Sequence, residues 1–208
     1  MRTLTLRDDL RRSGVILLIL GSAVRWSAPG GAWTEPDLHL FPQDGHRYEI
    51  VDGSLHVTPP LDDRHEGIVR AAVTTLRGAA PPGWWVCARL GIEFGPSNLV
   101  PDVTVLRPHS SGASWSDPAD VALVIEVEAP TTKRYDRLLK PALYAEAGIP
   151  HFWRVDPEHA GPEHSGPELT IYTLTADGDY AEDRRIAGVD LVKINSPYPM
   201  RLAPSTWV

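Results

Sequence analysis

Cysteine is nearly absent from this chain. Cys87 stands alone, which excludes an intramolecular disulfide framework and a multi-cysteine zinc site and makes a reducing, cytoplasmic setting the simplest expectation. Its neighbours Trp84, Trp85, Val86 and Ala88 bring no charge that would activate a thiol, so Cys87 reads as a small buried hydrophobe. Positive charge is also scarce. Twenty Lys and Arg against 27 Asp and Glu give a formal charge of −7, which excludes coating nucleic acid through a global positive field but permits a local basic strip. Long apolar runs are missing too. The stretch Val15 to Leu20 is too short to span a membrane, so no membrane partner is expected. Arg2, Arg7, Arg11 and Arg12 precede it, but Asp8 and Asp9 interrupt the basic region that a secretory signal would carry. Residues 1–35 therefore read as a leader and linker outside the packed core. The 208 residues, 42% of them hydrophobic, suffice for one real core, and a single domain over 36–208 is the expectation.

Between Ser27 and Pro42 the composition turns to Pro, Gly, Trp and scattered charge, a linker signature that would start the regular fold near Asp44. In HRYEIVDGSLHVTPP, residues 46–60, apolar positions alternate around Asp52-Gly53, a two-residue turn signal, and predict a β-hairpin. Residues 62–79 place Ile68, Ala72 and Leu76 at helical spacing, with Asp62 or Asp63 as N-cap and Gly78 near the end. Strands are expected over Trp84 to Arg89, Gly91 to Phe94 and Val100 to Leu106. The run Val121 to Val127 is apolar enough for a central strand covered on both faces. A helix over 133–147 would stop at Gly148 and Pro150, and His151 to Val155 would form another strand. The repeat PEHAG-PEHSG-PE, residues 157–168, predicts a flexible loop, and a closing hairpin turns at Asp177-Gly178. The order predicts an α/β fold with a mixed central β-sheet flanked by helices and with N- and C-terminal β-hairpins.

Side chains alternate across a strand, so Asp102 shares a face with Thr104, and Glu126 shares one with Val124 and Glu128. Burying an ionised acid on a central strand costs several kcal/mol, on the order known for desolvated ions, unless a cation or hydrogen bonds compensate. An oxygen-liganded Mg²⁺ or Mn²⁺ would meet that need. A plain ion pair, Glu126 or Glu128 with Arg89, Lys133 or Lys140, would meet it equally well. His65 and Arg64, at the start of the first long helix, read as capping or surface residues.

The pattern formed by HRYEIVDGSLHVTPP, the helix near His65, VPDVTVL, ALVIEVEAPTT, Asp136, Lys140, Tyr144, Gly148 and FWRVDP resembles the Uma family of restriction-endonuclease-like proteins. That family is a branch of the PD-(D/E)XK nuclease superfamily, and the resemblance covers roughly residues 36–202. It implies a restriction-endonuclease-like core and a Mg²⁺-dependent (or Mn²⁺-dependent) endonuclease acting on DNA. Carried over by position, Asp102 matches the aspartate of the PD element and Glu126 the acid of the following strand, the pair that holds the metal. Glu49 matches the family's early glutamate and would complete the acidic cluster. The superfamily's lysine falls two residues after the second acid, where this chain has Glu128, while Uma-like sequences draw a lysine from the next helix, which Lys140 fits. Glu128 then becomes an accessory metal ligand or the partner of Lys140. Ala129 departs from the family's usual serine.

Lys133 to Lys140 is the densest basic stretch, with four positive residues against one acid. Lys133, Arg137 and Lys140 share a helical face, and Lys133 with Arg137 would contact a phosphate backbone. Related nucleases often dimerise to cut both strands, so a homodimer is the matching expectation. Two other readings stay open: a catalytically inactive module of the same fold binding nucleic acid or a protein, and an unrelated metal-binding hydrolase.

Overall fold

The computed structural model describes residues 16–20, 23–28, 30–110, 115–159 and 166–208. The basic start of the expected leader and His164 of the expected loop lie outside the described residues. In chain order the elements begin with β1 (Ile16–Leu20), β2 (Ala23–Ser27), α1 (Glu35–Leu38), β3 (Arg47–Val51), β4 (Ser54–Thr58) and α2 (Asp63–Ala79). There follow β5 (Trp85–Ala88), β6 (Gly91–Phe94), β7 (Ser97–Leu99), β8 (Val103–Leu106), β9 (Trp115–Ser116) and β10 (Val121–Val127). A π-helical turn, Tyr135–Leu139, leads into α3 (Lys140–Glu146), and the chain continues with β11 (His151–Asp156), β12 (Glu168–Leu174) and β13 (Tyr180–Ile186). A last short hairpin is formed by β14 (Val192–Ile194) and β15 (Met200–Leu202). No helix among the described residues is long and apolar enough to cross a membrane.

The chain forms two compact units, Met1–Pro60 with Gly95–Leu99, and Leu61–Phe94 with Val100–Val208. In the first, β1 and β2 pair antiparallel, and β3 pairs with β4. Asp52 and Gly53 both take positive φ (48° and 71°), the twist that a two-residue hairpin turn requires and that favours Gly at the second position. The stretch expected as a linker is partly folded. Thr34 and Asp37 close a capping box on α1, with the Thr34 N–H 2.9 Å and its hydroxyl 2.8 Å from Asp37 Oδ2. Trp33 and Phe41 are buried with Ile50, so ordered packing begins by Trp33 rather than near Asp44. The apolar gain of two large rings outweighs the Pro- and Gly-rich composition around them.

The second unit is built on a six-stranded sheet in the order β13-β12-β11-β10-β8-β5. Only β10 and β11 run parallel in it, which their helical crossover makes possible, and the other neighbours are antiparallel. The sheet is mixed, as the pattern predicted. Asp62 caps α2 by accepting the His65 N–H at 2.9 Å. The apolar stripe Ile68, Val69, Ala72 and Leu76 packs in one core with Val103, Val105, Leu123 and Ile125. Those strand residues define one face of the sheet. The alternate residues of β10, Val124 and Glu126, therefore point to the other, where Tyr144 of α3 lies. All seven residues of β10 are buried, as expected for a strand covered on both faces.

The helix expected over 133–147 is present but not uniform. Lys140 N–H donates to Tyr135 O, five residues back, so the chain widens into a π-turn just before Pro141. A proline ring in a regular helix meets the carbonyl four residues earlier and leaves it without a donor, and one wide turn relieves both problems. At the other end Gly148 takes φ 74° and Ile149 N–H returns to Tyr144 O at 3.0 Å, closing the helix where Gly148 was expected to close it.

Candidate active site

Asp102 stands immediately before β8, and the antiparallel register pairs Val103 with Ile125. Continued by one residue, that register sets Asp102 opposite Glu126. Both are essentially buried, at 1% and 0% exposure, as sequence alternation alone could not have guaranteed. The charges are met differently. Asp102 Oδ2 accepts the Val127 N–H at 2.9 Å and lies 3.2 Å from His65 Nε2. Glu126 Oε1 accepts from Lys140 Nζ at 2.9 Å and from the Tyr144 hydroxyl at 2.6 Å. Lys140 Nζ is also 3.8 Å from Asp136, whose carboxylate takes the Thr132 hydroxyl at 2.5 Å. Lys140 and Tyr144 reach one acid together because they are four residues apart on one helical face.

Glu128 serves another set of partners. Its carboxylate lies 2.5 and 2.8 Å from the Arg137 guanidinium, 3.0 Å from Arg154 Nε and 3.4 Å from Lys133 Nζ. Asp156 shares two of these cations, at 3.2 Å from Arg137 and 3.6 Å from Lys133. The expected pairing of Glu128 with Lys140 does not form, because Lys140 turns inward to Glu126 while Arg137, three residues earlier, faces Glu128. The hydrogen bond to Glu128, together with that carboxylate's charge, raises the Arg137 pKa. Lys133 and Arg137 thus lie together on a partly exposed surface, already engaged with carboxylates. Arg89, another cation weighed for these acids, instead contacts Glu66.

His65, expected at a cap or on the surface, is in neither place. It is 3% exposed, and Nε2 lies 2.9 Å from Val127 O as well as near Asp102. Burial works against a charged ring here, but the Asp102 hydrogen bond and charge outweigh it and raise the His65 pKa. One signal was legible: His65 precedes Ile68 and Val69 by three and four residues, in line with the buried stripe of α2. Tyr144 and Asp136 join the site beyond the residues expected there, and their spacing of four from Lys140 on either side is the signal that could place them. His65 also lines a pocket of about 280 Å³ whose walls include Arg64, Glu128, Lys133, Asp156 and Glu158.

Glu49 belongs to the first unit, where it is buried with its carboxylate 3.6 Å from Arg47 Nε. Among the described residues, no three His, Cys, Asp or Glu side chains gather to hold a metal ion. The second unit offers an acid pair, Asp102 and Glu126, with a lysine, a tyrosine and a histidine as their immediate partners.

A mixed sheet with helices on its faces is an α/β architecture, and it sets Asp102 and Glu126 opposite each other at neighbouring strands. Residues 33–202 match the family described as "Uma2: Putative restriction endonuclease", and the chain belongs to that family. Among solved structures it is similar to the crystal structure of "a putative nuclease belonging to DUF820" from Anabaena variabilis ATCC 29413, with a TM-score of 0.60 and 18% identity over 83% of this chain and 97% of that one. At that identity the likeness speaks for the fold. No curated protein matches the chain. Family and fold together indicate a nuclease.

Proposed function

We propose that this protein is a Mg²⁺-dependent endonuclease that hydrolyses DNA phosphodiester bonds. The observation that carries the reading is the placement of Asp102 opposite Glu126 with Lys140 Nζ 2.9 Å from the latter. Two carboxylates are a suitable set for Mg²⁺ or Mn²⁺, since Mg²⁺ is commonly held by one or two carboxylates plus substrate phosphate and water rather than by an all-protein cage. Asp102 and Glu126 would hold the ion, and Glu128, neutralised by arginines, would not. A bound divalent cation supplies Lewis-acid polarisation of the phosphoryl oxygen. Tyr144 keeps Glu126 in one orientation through its hydroxyl, at 2.6 Å. Lys140 carries a positive charge to the same carboxylate, from which it can orient a water or stabilise charge growing on the phosphoryl group. Lys133 and Arg137 offer a surface for the DNA backbone. Two copies acting together would cut both strands, in a reducing cytoplasm compatible with the lone Cys87.

A second reading has its own support. Asp102, Glu126 and Lys140 are all at most 3% exposed, which suits a structural ion-pair core in a non-catalytic module that binds nucleic acid. Plasmid DNA incubated with Mg²⁺ or Mn²⁺ and wild-type or Asp102→Ala protein separates the two. Cleavage by wild type that is lost in the variant is the expected result. Absence of cleavage by folded wild-type protein overturns the enzyme reading, and DNA binding without turnover favours the module.

A further inference from the structure

Three elements meet at one histidine. His65, in the first turn of α2, has Nε2 2.9 Å from Val127 O at the end of β10 and 3.2 Å from Asp102 Oδ2 just before β8. Both neighbours of Nε2 are acceptors, so Nε2 carries the hydrogen and donates it between them. Asp102 Oδ2 in turn accepts the Val127 N–H at 2.9 Å. The carboxylate is thus gripped from the strand side by a backbone donor and from the helix side by the imidazole. Donors from two different elements meet one carboxylate oxygen in a buried position, and together they favour a single orientation of the side chain. The ring itself cannot swing easily, because the residue is 3% exposed and Asp62 caps the same helical turn through the His65 N–H.

We infer that His65 is the positioning residue for Asp102: its Nε2–H fixes the carboxylate in the orientation that holds the divalent cation. This rests on the nuclease reading for its consequence in turnover but not for its consequence in metal binding. Groups hydrogen-bonded to a metal's ligands typically alter metal affinity or activity about 10–100-fold when removed, and that is the size of effect expected here. A neutral amide side chain of similar reach, with an N–H near the position of Nε2, should preserve the function. An aliphatic side chain of similar volume should not.

The test compares wild type, His65→Gln and His65→Leu. Mn²⁺ binding is read by calorimetric titration of metal-free protein, DNA cleavage in Mg²⁺ is read under single-turnover conditions, and circular dichroism melting confirms that each variant folds. His65→Leu should bind Mn²⁺ about 10–100-fold more weakly, with the loss appearing in the cleavage rate constant rather than in DNA affinity. His65→Gln should stay within a few-fold of wild type, by the same reasoning applied to a retained donor. The inference is overturned if folded His65→Leu binds Mn²⁺ as wild type does, if His65→Gln is as impaired as His65→Leu, or if wild type binds no Mn²⁺. Should wild type bind Mn²⁺ yet leave DNA intact, the nuclease reading falls while the binding comparison still decides the role of His65.

Discussion

Lys140 Nζ lies 2.9 Å from Glu126 Oε1, joining the π-turn's exit to the central strand inside the protein, where the two side chains are 4% and 0% exposed. A pair so enclosed is there at the expense of desolvation, and its two members cannot be separated cheaply. Lys140→Met should therefore destabilise the fold by about 3–5 kcal/mol, since it leaves a buried carboxylate with less compensation. The double variant Glu126→Gln/Lys140→Met should recover most of that loss. Tyr144→Phe deletes the 2.6 Å hydroxyl contact to Glu126 and should cost about 1–3 kcal/mol. Urea denaturation of the four proteins checks the ranking, and a Lys140→Met protein as stable as wild type would contradict the pairing.

Much of this arrangement could be read from residues alone, and what could not has identifiable causes. The Asp52-Gly53 turn, the Asp62 cap and the largely apolar β10, interrupted by Glu126, each rest on local chemistry, and local chemistry is written in the sequence. His65 was misread because a polar residue in a helix's first turn resembles a cap until its tertiary neighbours are known. Lys140 stands on the following helix as the resemblance implied, and Pro141, which a regular helix accommodates poorly, marks the π-turn that ends just before Lys140. The hairpin of β14 and β15 escaped notice because Pro197 and Pro199, in the connection between its strands, remove backbone donors and blur the alternation. Trp33 and Phe41 were lost inside a stretch whose composition resembles a linker. His65 meets Val127 and Asp102, and Trp33 and Phe41 are buried with Ile50, partners that no local pattern announces.

The surface around Glu128 makes a prediction about DNA. Lys133, Arg137 and Arg154 gather on Glu128, and Asp156 joins two of them, so the patch keeps only a small positive excess. If this patch meets the phosphate backbone, Lys133→Ala should weaken binding to all DNA sequences alike and lower the salt-dependence slope by about 1. It should leave stability within about 1 kcal/mol of wild type, because the side chain is half exposed. Glu128→Gln should act with the opposite sign, tightening binding and steepening the salt dependence, because it removes the charge that restrains the three cations. Fluorescence anisotropy at several salt concentrations measures both. A pair of variants moving in the same direction would remove this patch from the DNA-binding surface.

His151 gives the fold a pH dependence that is separable from the acid pair. It opens β11 opposite Thr173, and its Nδ1 is buried without a hydrogen-bond partner among the described residues. Burial, reinforced by the charge of Arg107, lowers its pKa below the ordinary histidine value, while Asp183 pulls weakly the other way. The folded protein therefore favours the neutral ring and binds fewer protons than the unfolded chain as pH falls. The stabilising contribution is complete above the unfolded value, near pH ~6.5, and is lost as pH drops through the lower folded value. His65, whose pKa moves upward, contributes with the opposite sign, so the informative comparison is between proteins rather than the wild-type slope alone. Melting temperatures measured from about pH 8 to about pH 5 in metal-free buffer should fall less steeply for His151→Asn than for wild type, by the same linkage. Parallel curves would mean that His151 does not titrate across the range, and the acid loss would then belong to other groups.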